Sequence, residues 1–296
     1  MTRANPAGRG RRRADVGRLL PRPVQVLVNA CLLTVVLAPM LYLVFASVNS
    51  DLSIARGSFL PTSLHLDNYL RIWSTVSLGR GLVNSVVGAG AVAVVCALVS
   101  VSGAYVLVRH GFRGRLAILR GLLALQSIPG TLLLLPVFVL FTSAATTLGI
   151  QVVGTRWALF LTYLTFGLPF STWVMVTYLR GLPRELDEAA RIDGASSWRI
   201  LTRIIVPLSW PGLVVAGIFA FLLGWNDVLF ASVLTGPDTR TAAVALQVFG
   251  ATQEGGAVPV YGQLMAAALV CAVPVVVLYL VFQRYLVSGL TAGGMK

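Results

Sequence analysis

Long uncharged runs constrain this chain more than any other feature. Val24 to Val48, VQVLVNACLLTVVLAPMLYLVFASV, contains no Asp, Glu, Lys or Arg. About 20 apolar residues are enough for a helix to cross the hydrocarbon core of a bilayer. This run exceeds the roughly 7–15-residue core of a cleavable leader, so it reads as a retained helix. Five more apolar runs follow, the last four with one charged residue each: Leu82–Val108, Ala117–Thr142, Arg156–Tyr178, Pro211–Leu234 and Gln263–Leu286. With 57% hydrophobic and 11% charged residues, a chain of 296 residues lacks the polar surface to coat a water-soluble globule. In hydrocarbon every backbone polar group needs an internal partner, which makes runs of this length helices. The expectation is an all-α membrane protein with six transmembrane helices.

The basic residues set the expected orientation. Of the 23 Lys and Arg residues, only Lys296 is a lysine. Counted by connection, 18 lie in the N-terminal tail, the Arg109–Arg120 linker, the Arg180–Arg203 loop and the C-terminal stretch; five (Arg56, Arg71, Arg80, Arg156, Arg240) lie in the alternate loops. Positively charged loops stay in the cytosol, so both termini are expected there. The organisation expected is an Arg-rich disordered tail at 1–23, a first helix and outer loop at 24–81, a five-helix core at 82–286 containing a cytosolic loop at 183–207, and a short cytosolic tail at 287–296. In the first outer loop, Asp67 can cap a short amphipathic helix with Tyr69, Leu70 and Trp73 on its apolar side. The stretch Thr235–Gly262, rich in Gly, Pro and Thr, reads as an outer loop.

Several function classes are excluded. A P-loop needs a Lys within GxxxxGK[ST] to reach nucleotide phosphates, and a single terminal Lys cannot supply it. Cys31, Cys96 and Cys271 are isolated in apolar runs, and His65 and His110 lie apart, so no metal site or nucleophilic triad is legible. The net charge of +13 flanks hydrophobic spans, so it argues for topology and a lipid surface rather than nucleic acid.

The most informative connection is Leu186–Pro207, LDEAARIDGASSWRILTRIIVP. With Glu185 just before it, it gathers four of the chain's ten acids (Glu185, Asp187, Glu188, Asp193). Pro183 can enter the first helical turn, and the first three acids complement the positive end of the helix dipole. Leu186, Ala189 and Ala190 are expected to share a face. Gly194 can end the helix in the left-handed region. A second helix can begin at Ser196 or Ser197 with an apolar stripe of Trp198, Leu201, Ile204 and Ile205, ending at Pro207. A loop that only set topology would carry Arg without acids and would not place glycine between two amphipathic halves. A docking element for a cytosolic partner accounts for both.

EAARIDGASSWRILTRIIVPLSWP resembles the EAA loop of permease subunits in bacterial ABC importers. The matching positions are Glu188, Ala189, Ala190, Asp193, Gly194, Ala195 and Pro207. The terminal RYLVSGLTAGGMK and the loop FLPTSLHLDNYLRIW are similar to the smaller permease subunit of maltose-type importers. The resemblance implies the type I ABC importer permease fold and a bacterial inner-membrane location. It implies as partners a second permease subunit, two P-loop ATPase subunits that bind ATP and Mg²⁺, and an extracytoplasmic binding protein delivering a sugar. The EAA residues would seat on the ATPase as a coupling helix. This chain would hold no cofactor and catalyse no reaction itself.

Trp225, Asn226 and Asp227 are candidates for the translocation path, because an acid within a span is a functional candidate; an interfacial anchor with Trp225 in the aromatic belt is the alternative. Pro129, Pro136 and Pro169 are expected to kink helices. The Gly88–Ala93 and Ala266–Ala268 clusters suit close helix packing. A secondary transporter would show intramembrane ionisable groups in two related halves, and an intramembrane protease a paired acid or HExxH; neither is visible. A permease for another solute, such as a phosphodiester, polyol or peptide, differs only in substrate.

Overall fold

The computed structural model describes residues 21–61, 63–75, 77–253 and 260–292. Most of the Arg-rich tail lies outside them, as does the end of the GLTAG motif. Arg22 and Pro23, expected in the tail, instead open the first helix, where a proline fits because the first turn lacks amide partners.

The described residues are helical, with one isolated bridge between Gly154 and Thr235. The helices are α1 (Arg22–Ser47), α2 (Asp51–Ala55), α3 (Asp67–Thr75), α4 (Leu78–Arg109), α5 (Arg115–Gln126), α6 (Gly130–Leu148) and α7 (Arg156–Arg180). Then come α8 (Glu185–Ile192), α9 (Ser197–Leu208), α10 (Trp210–Asn226), α11 (Leu229–Leu234), α12 (Ala242–Gln253) and α13 (Tyr261–Ala292). Five of them (α1, α4, α6, α7 and α13) are long and apolar enough to cross a bilayer; the pair α9–α10, bent by 78°, makes a sixth when taken as one span.

α4, α7 and α10 form the centre and pack on one another along their length. Lipid is as apolar as leucine, so this packing depends on close fit rather than on exclusion of water. The close approaches occur at Gly81, Gly167, Gly212 and Gly224, where an added Cβ would lie within 3.4 Å of a neighbouring helix or loop. Gly88 and Gly90, in the expected packing cluster, face open space instead, whereas Ala266 and Ala267 are buried. α1 lies against α13, and none of its most apolar stretch is buried.

Three sequence expectations need correction. The run Ala117–Thr142 is not one helix: it breaks at Ser127–Pro129 into α5 and α6, and Pro129 caps α6 rather than kinking a continuous span. Proline has no amide hydrogen and pushes the preceding residue out of the helical region. Pro136 and Pro169 do lie inside α6 and α7. The stretch Thr235–Gly262 contains α12, whose Ala242, Ala245 and Phe249 form a buried stripe at helical spacing. In α3, Asp67 occupies the first turn, paired with Arg71 at 3.1 Å, and the buried face is Asn68 and Ile72, leaving Leu70 and Trp73 exposed.

Candidate functional site

The connection from α7 to α10 is built by three local devices. Glu185, Asp187 and Glu188 occupy the first turn of α8, where the free amides of a helix favour negative charge. Arg184 is the N-cap, so Pro183 stands before the helix rather than in its first turn. α8 ends in a paired closure: Ala195 N–H donates to Ala190 O at 2.9 Å and Gly194 N–H to Arg191 O at 3.0 Å. This Schellman geometry needs a left-handed residue between the two bonds, and Gly194 has φ +77°. Ser196 then caps α9, its Oγ accepting from Arg199 N–H at 3.4 Å.

α9 widens into a π-turn over Leu201–Ile205 before Val206–Leu208, and the chain bends at Ser209 into α10. Tyr178, in the last turn of α7, fills the inside of this elbow. Its hydroxyl donates to Leu208 O at 3.3 Å, and its ring lies so close to Gly212 that an added Cβ would sit 2.8 Å from Cγ.

The element has two faces. Ala190, Ile200, Leu201 and Ile205 are buried with Val101, Ala104, Tyr105 and Val108 of α4 and Met175, Val176 and Leu179 of α7. Leu186, Glu188, Ala189, Ile192, Asp193, Gly194, Trp198 and Pro207 face outward, Ile192 being 87% exposed and Trp198 70%. The face that Leu186, Ala189 and Ala190 were expected to share is therefore split: Ala190 turns in with Asp187, and Leu186 and Ala189 turn out. Ala195 is half-buried against the inner core.

Asp187 is the residue that sequence reasoning undervalued. Its Oδ2 lies 2.7 Å from Arg109 Nε, and the two side chains are 4% and 3% exposed. Arg109 is the last residue of α4, and its Nη2 also donates to Leu182 O and Pro183 O, each at 3.2 Å. Breaking a buried ion pair by removing one partner costs about 3–5 kcal/mol.

The other candidates separate. Trp225 is buried and stacked on Phe221 with ring centroids 5.4 Å apart. Asn226 ends α10 and is exposed. Asp227 sits in the break between α10 and α11: its carboxylate accepts from Phe230 N–H at 3.3 Å, Ala231 N–H at 2.9 Å and Tyr163 Oη–H at 2.8 Å. It caps α11 from an extended conformation (ψ 126°), so the expected continuous span to Leu234 is interrupted there. Asp227, Tyr163, Gln126, Thr165, Phe166 and Phe230 line part of a cavity of about 240 Å³.

Residues 100–292 match the family model described as "Binding-protein-dependent transport system inner membrane component". The chain is 33% identical to the trehalose/maltose transport system permease protein MalG of Thermococcus litoralis, covering 92% of this chain and 96% of that one. It is 32% identical to the trehalose transport system permease protein SugB of Mycobacterium tuberculosis, with 88% and 92% covered. It is 33% identical to the sulfoquinovosyl glycerol transport system permease protein SmoH of Agrobacterium fabrum, with 93% and 94% covered. Its fold is similar to a chain in the crystal structure of a bacterial ABC transporter that imports alginate, with a TM-score of 0.71 at 22% identity, over 90% of this chain and 98% of that one. The bundle around α4, α7 and α10, the two-faced α8–α9 corner and these relatives together place the chain in the family of binding-protein-dependent transport system inner membrane components, the permeases of ABC importers.

Proposed function

We propose that this chain is one of two permease subunits of an ATP-driven sugar importer, with six spans and both termini in the cytosol. The bias of 18 basic residues to five supports that orientation. A sugar or oligosaccharide arrives on an extracytoplasmic binding protein, and a separate pair of P-loop ATPases holds ATP and Mg²⁺. The observation that carries the reading is the outward face of the α8–α9 corner. It exposes two large apolar side chains, Ile192 and Trp198, together with Glu188, Asp193 and the small Ala189 and Gly194. Glu188, Ala189, Asp193 and Gly194 form the docking surface. Ala190, Ala195 and Pro207 hold its backbone, the first two through the closure at Gly194 and the third near the elbow.

Closure of the ATPase dimer then rotates the helix bundle between inward- and outward-open states as a rigid body. Nucleotide shifts that equilibrium only by its differential affinity for the two states, so a firmly seated α8 is a condition of transport. Asp227, with Gln126 and Tyr163 on the same cavity, lies on the solute path; Trp225 packs behind it. The relatives' sugars support a carbohydrate substrate. A solute of another class, such as a phosphodiester, would use the same mechanism.

The test is purification of the tagged chain in mild detergent, identification of co-purifying subunits, and uptake of radiolabelled trehalose and maltose by proteoliposomes containing ATP. A P-loop ATPase and a second permease are expected. The double variant Glu188→Arg, Gly194→Pro is expected to reach the membrane and lose the ATPase or uptake; normal uptake by that variant would remove the docking role.

A further inference from the structure

α8 is held to the bundle by very little. Of its eight residues only Asp187 and Ala190 are buried. A single methyl group cannot fix the register of a helix, so the Arg109–Asp187 pair sets its position. Arg109 adds two bonds to the carbonyls of Leu182 and Pro183, which hold the chain just ahead of α8.

The other end of α4 is tied to its own connection, by hydrogen bonds and an exposed ion pair. α4 runs 32 residues without an internal proline, about 48 Å at 1.5 Å per residue. In its first two turns, Arg80 pairs with Asp238. Asn84 Nδ2 donates to Asp238 O at 3.0 Å and Arg240 O at 2.9 Å, while its Oδ1 accepts from Arg156 Nε at 3.0 Å. Ser85 Oγ accepts from Ala242 N–H at 2.9 Å, and Gly81 lets the backbone of Ala242 approach so that an added Cβ would lie 3.1 Å from its Cα. One unbroken helix therefore holds the α7–α10 connection at one end and the α11–α12 connection at the other.

We propose that α4 is the strut through which movement of the docking corner reaches the opposite face, with Arg109 and Asp187 as the positioning residues that join α8 to it. This inference rests on the docking reading above. α8 is otherwise joined to its neighbours through the chain, at Gly181 before it and the closure at Gly194 after it, so the Arg109–Asp187 pair is its charged tie to α4. The α11–α12 connection moves with α4 because four groups of that helix (Arg80, Gly81, Asn84, Ser85) leave it no independent position.

The test uses the complex purified with its ATPase subunit and placed in nanodiscs. Val248→Cys, beside the pocket lined by Arg80 and Asp238, reports on the α11–α12 region through its rate of reaction with a membrane-impermeant maleimide. The complex without the reporter supplies the background from Cys31, Cys96 and Cys271. The rate is compared between nucleotide-free and ATP–vanadate-trapped states. The informative variant is Arg109→Gln, Asp187→Asn, which removes both charges and leaves neither buried alone. The Val248→Cys complex that keeps Arg109 and Asp187 is expected to change its labelling rate at least fivefold on trapping. In the double variant the ATPase subunit is expected to remain bound and hydrolyse ATP, while the change falls below twofold. Arg109→Lys, which keeps the charge but loses the planar fork, is expected to fall between them. A full nucleotide-dependent change in the double variant, or in Arg109→Lys should the former fail to assemble, would overturn the strut. No change in the Val248→Cys complex that keeps Arg109 and Asp187 would overturn the docking reading itself.

Discussion

Replacing Gly212 by alanine tests whether the elbow between α9 and α10 is set by contact with Tyr178. The added Cβ would meet Tyr178 Cγ at 2.8 Å, Cδ2 at 3.0 Å and Cβ at 3.2 Å. Carbon atoms sit comfortably at about 3.5–4.0 Å, so α7 and α10 must separate by roughly 0.5 Å or more, or the ring must leave. The atoms struck lie near the root of the side chain, where rotation gives little relief. Overpacking of this kind costs about 1–3 kcal/mol, or roughly a 5- to 150-fold change in an equilibrium constant. Tyr178→Ala alone removes the ring and its bond to Leu208 O, so it is also expected to destabilise. Together the two changes should cost less than their sum by at least about 1 kcal/mol, because the contacts with Cγ and Cδ2 disappear in the second background. Reversible unfolding in mixed micelles supplies the three free energies, and ATP-driven uptake shows whether the elbow angle matters for transport. Additivity within roughly 0.5 kcal/mol would show that the two residues do not oppose each other, and the account of the elbow would fail.

Gly194 has φ +77° with no atom of this chain within 4 Å of an added Cβ, so a substitution there strains the backbone without a clash inside the chain, and proline also removes the N–H that bonds Arg191 O. Retention of the ATPase subunit should fall in the order Gly, Asn, Ala, Pro, with alanine costing about 1–2 kcal/mol. Asp227→Ala removes the acceptor for two backbone amides and a tyrosine hydroxyl; the thermal midpoint should fall by more than in Tyr163→Phe, the loss of a helix cap being worth about 0.5–2 kcal/mol. Asn84→Leu takes two donors from the Asp238 and Arg240 carbonyls and an acceptor from Arg156. Added protease should then cut at 235–241 faster in vesicles that expose this connection, with α12 still folded, and an unchanged rate would count against the network.

Much of the site was legible in the order of residues alone. The α8–α9 corner arises from acids in a first turn, a glycine where the chain must turn left-handed, and a serine that caps the next helix, all local rules acting over a few residues. Local rules also explain the misses. The break at Pro129 was readable, but an apolar run that continues across it hides the change of direction. α12 was concealed by its Gly, Pro and Thr neighbours, although Ala242, Ala245 and Phe249 carry the helical period. Asp227 looked like an acid stranded in a span because its partners are amides exposed by a helix break that the acid itself caps.

Arg109 and Asp187 mark where sequence reading ends. In the chain, one is an arginine among four in a short connection and the other an acid among four in a distant one, and each has a sufficient local explanation in topology or helix dipole. Only the packing of α4 and α7 around the inner core brings them to 2.7 Å and removes both from water. The same holds for Tyr178 against Gly212 and for Asn84 against the α11–α12 connection. The sequence by itself determined the solvent, the helical class and the local shape of the α8–α9 corner, because solvent preference is a sum over residues and a helix end depends on neighbours within one turn. The tertiary structure alone decided which charges pair, which glycines are crossed and where the spans break, because those are properties of two segments meeting, and neither segment carries the information for the other.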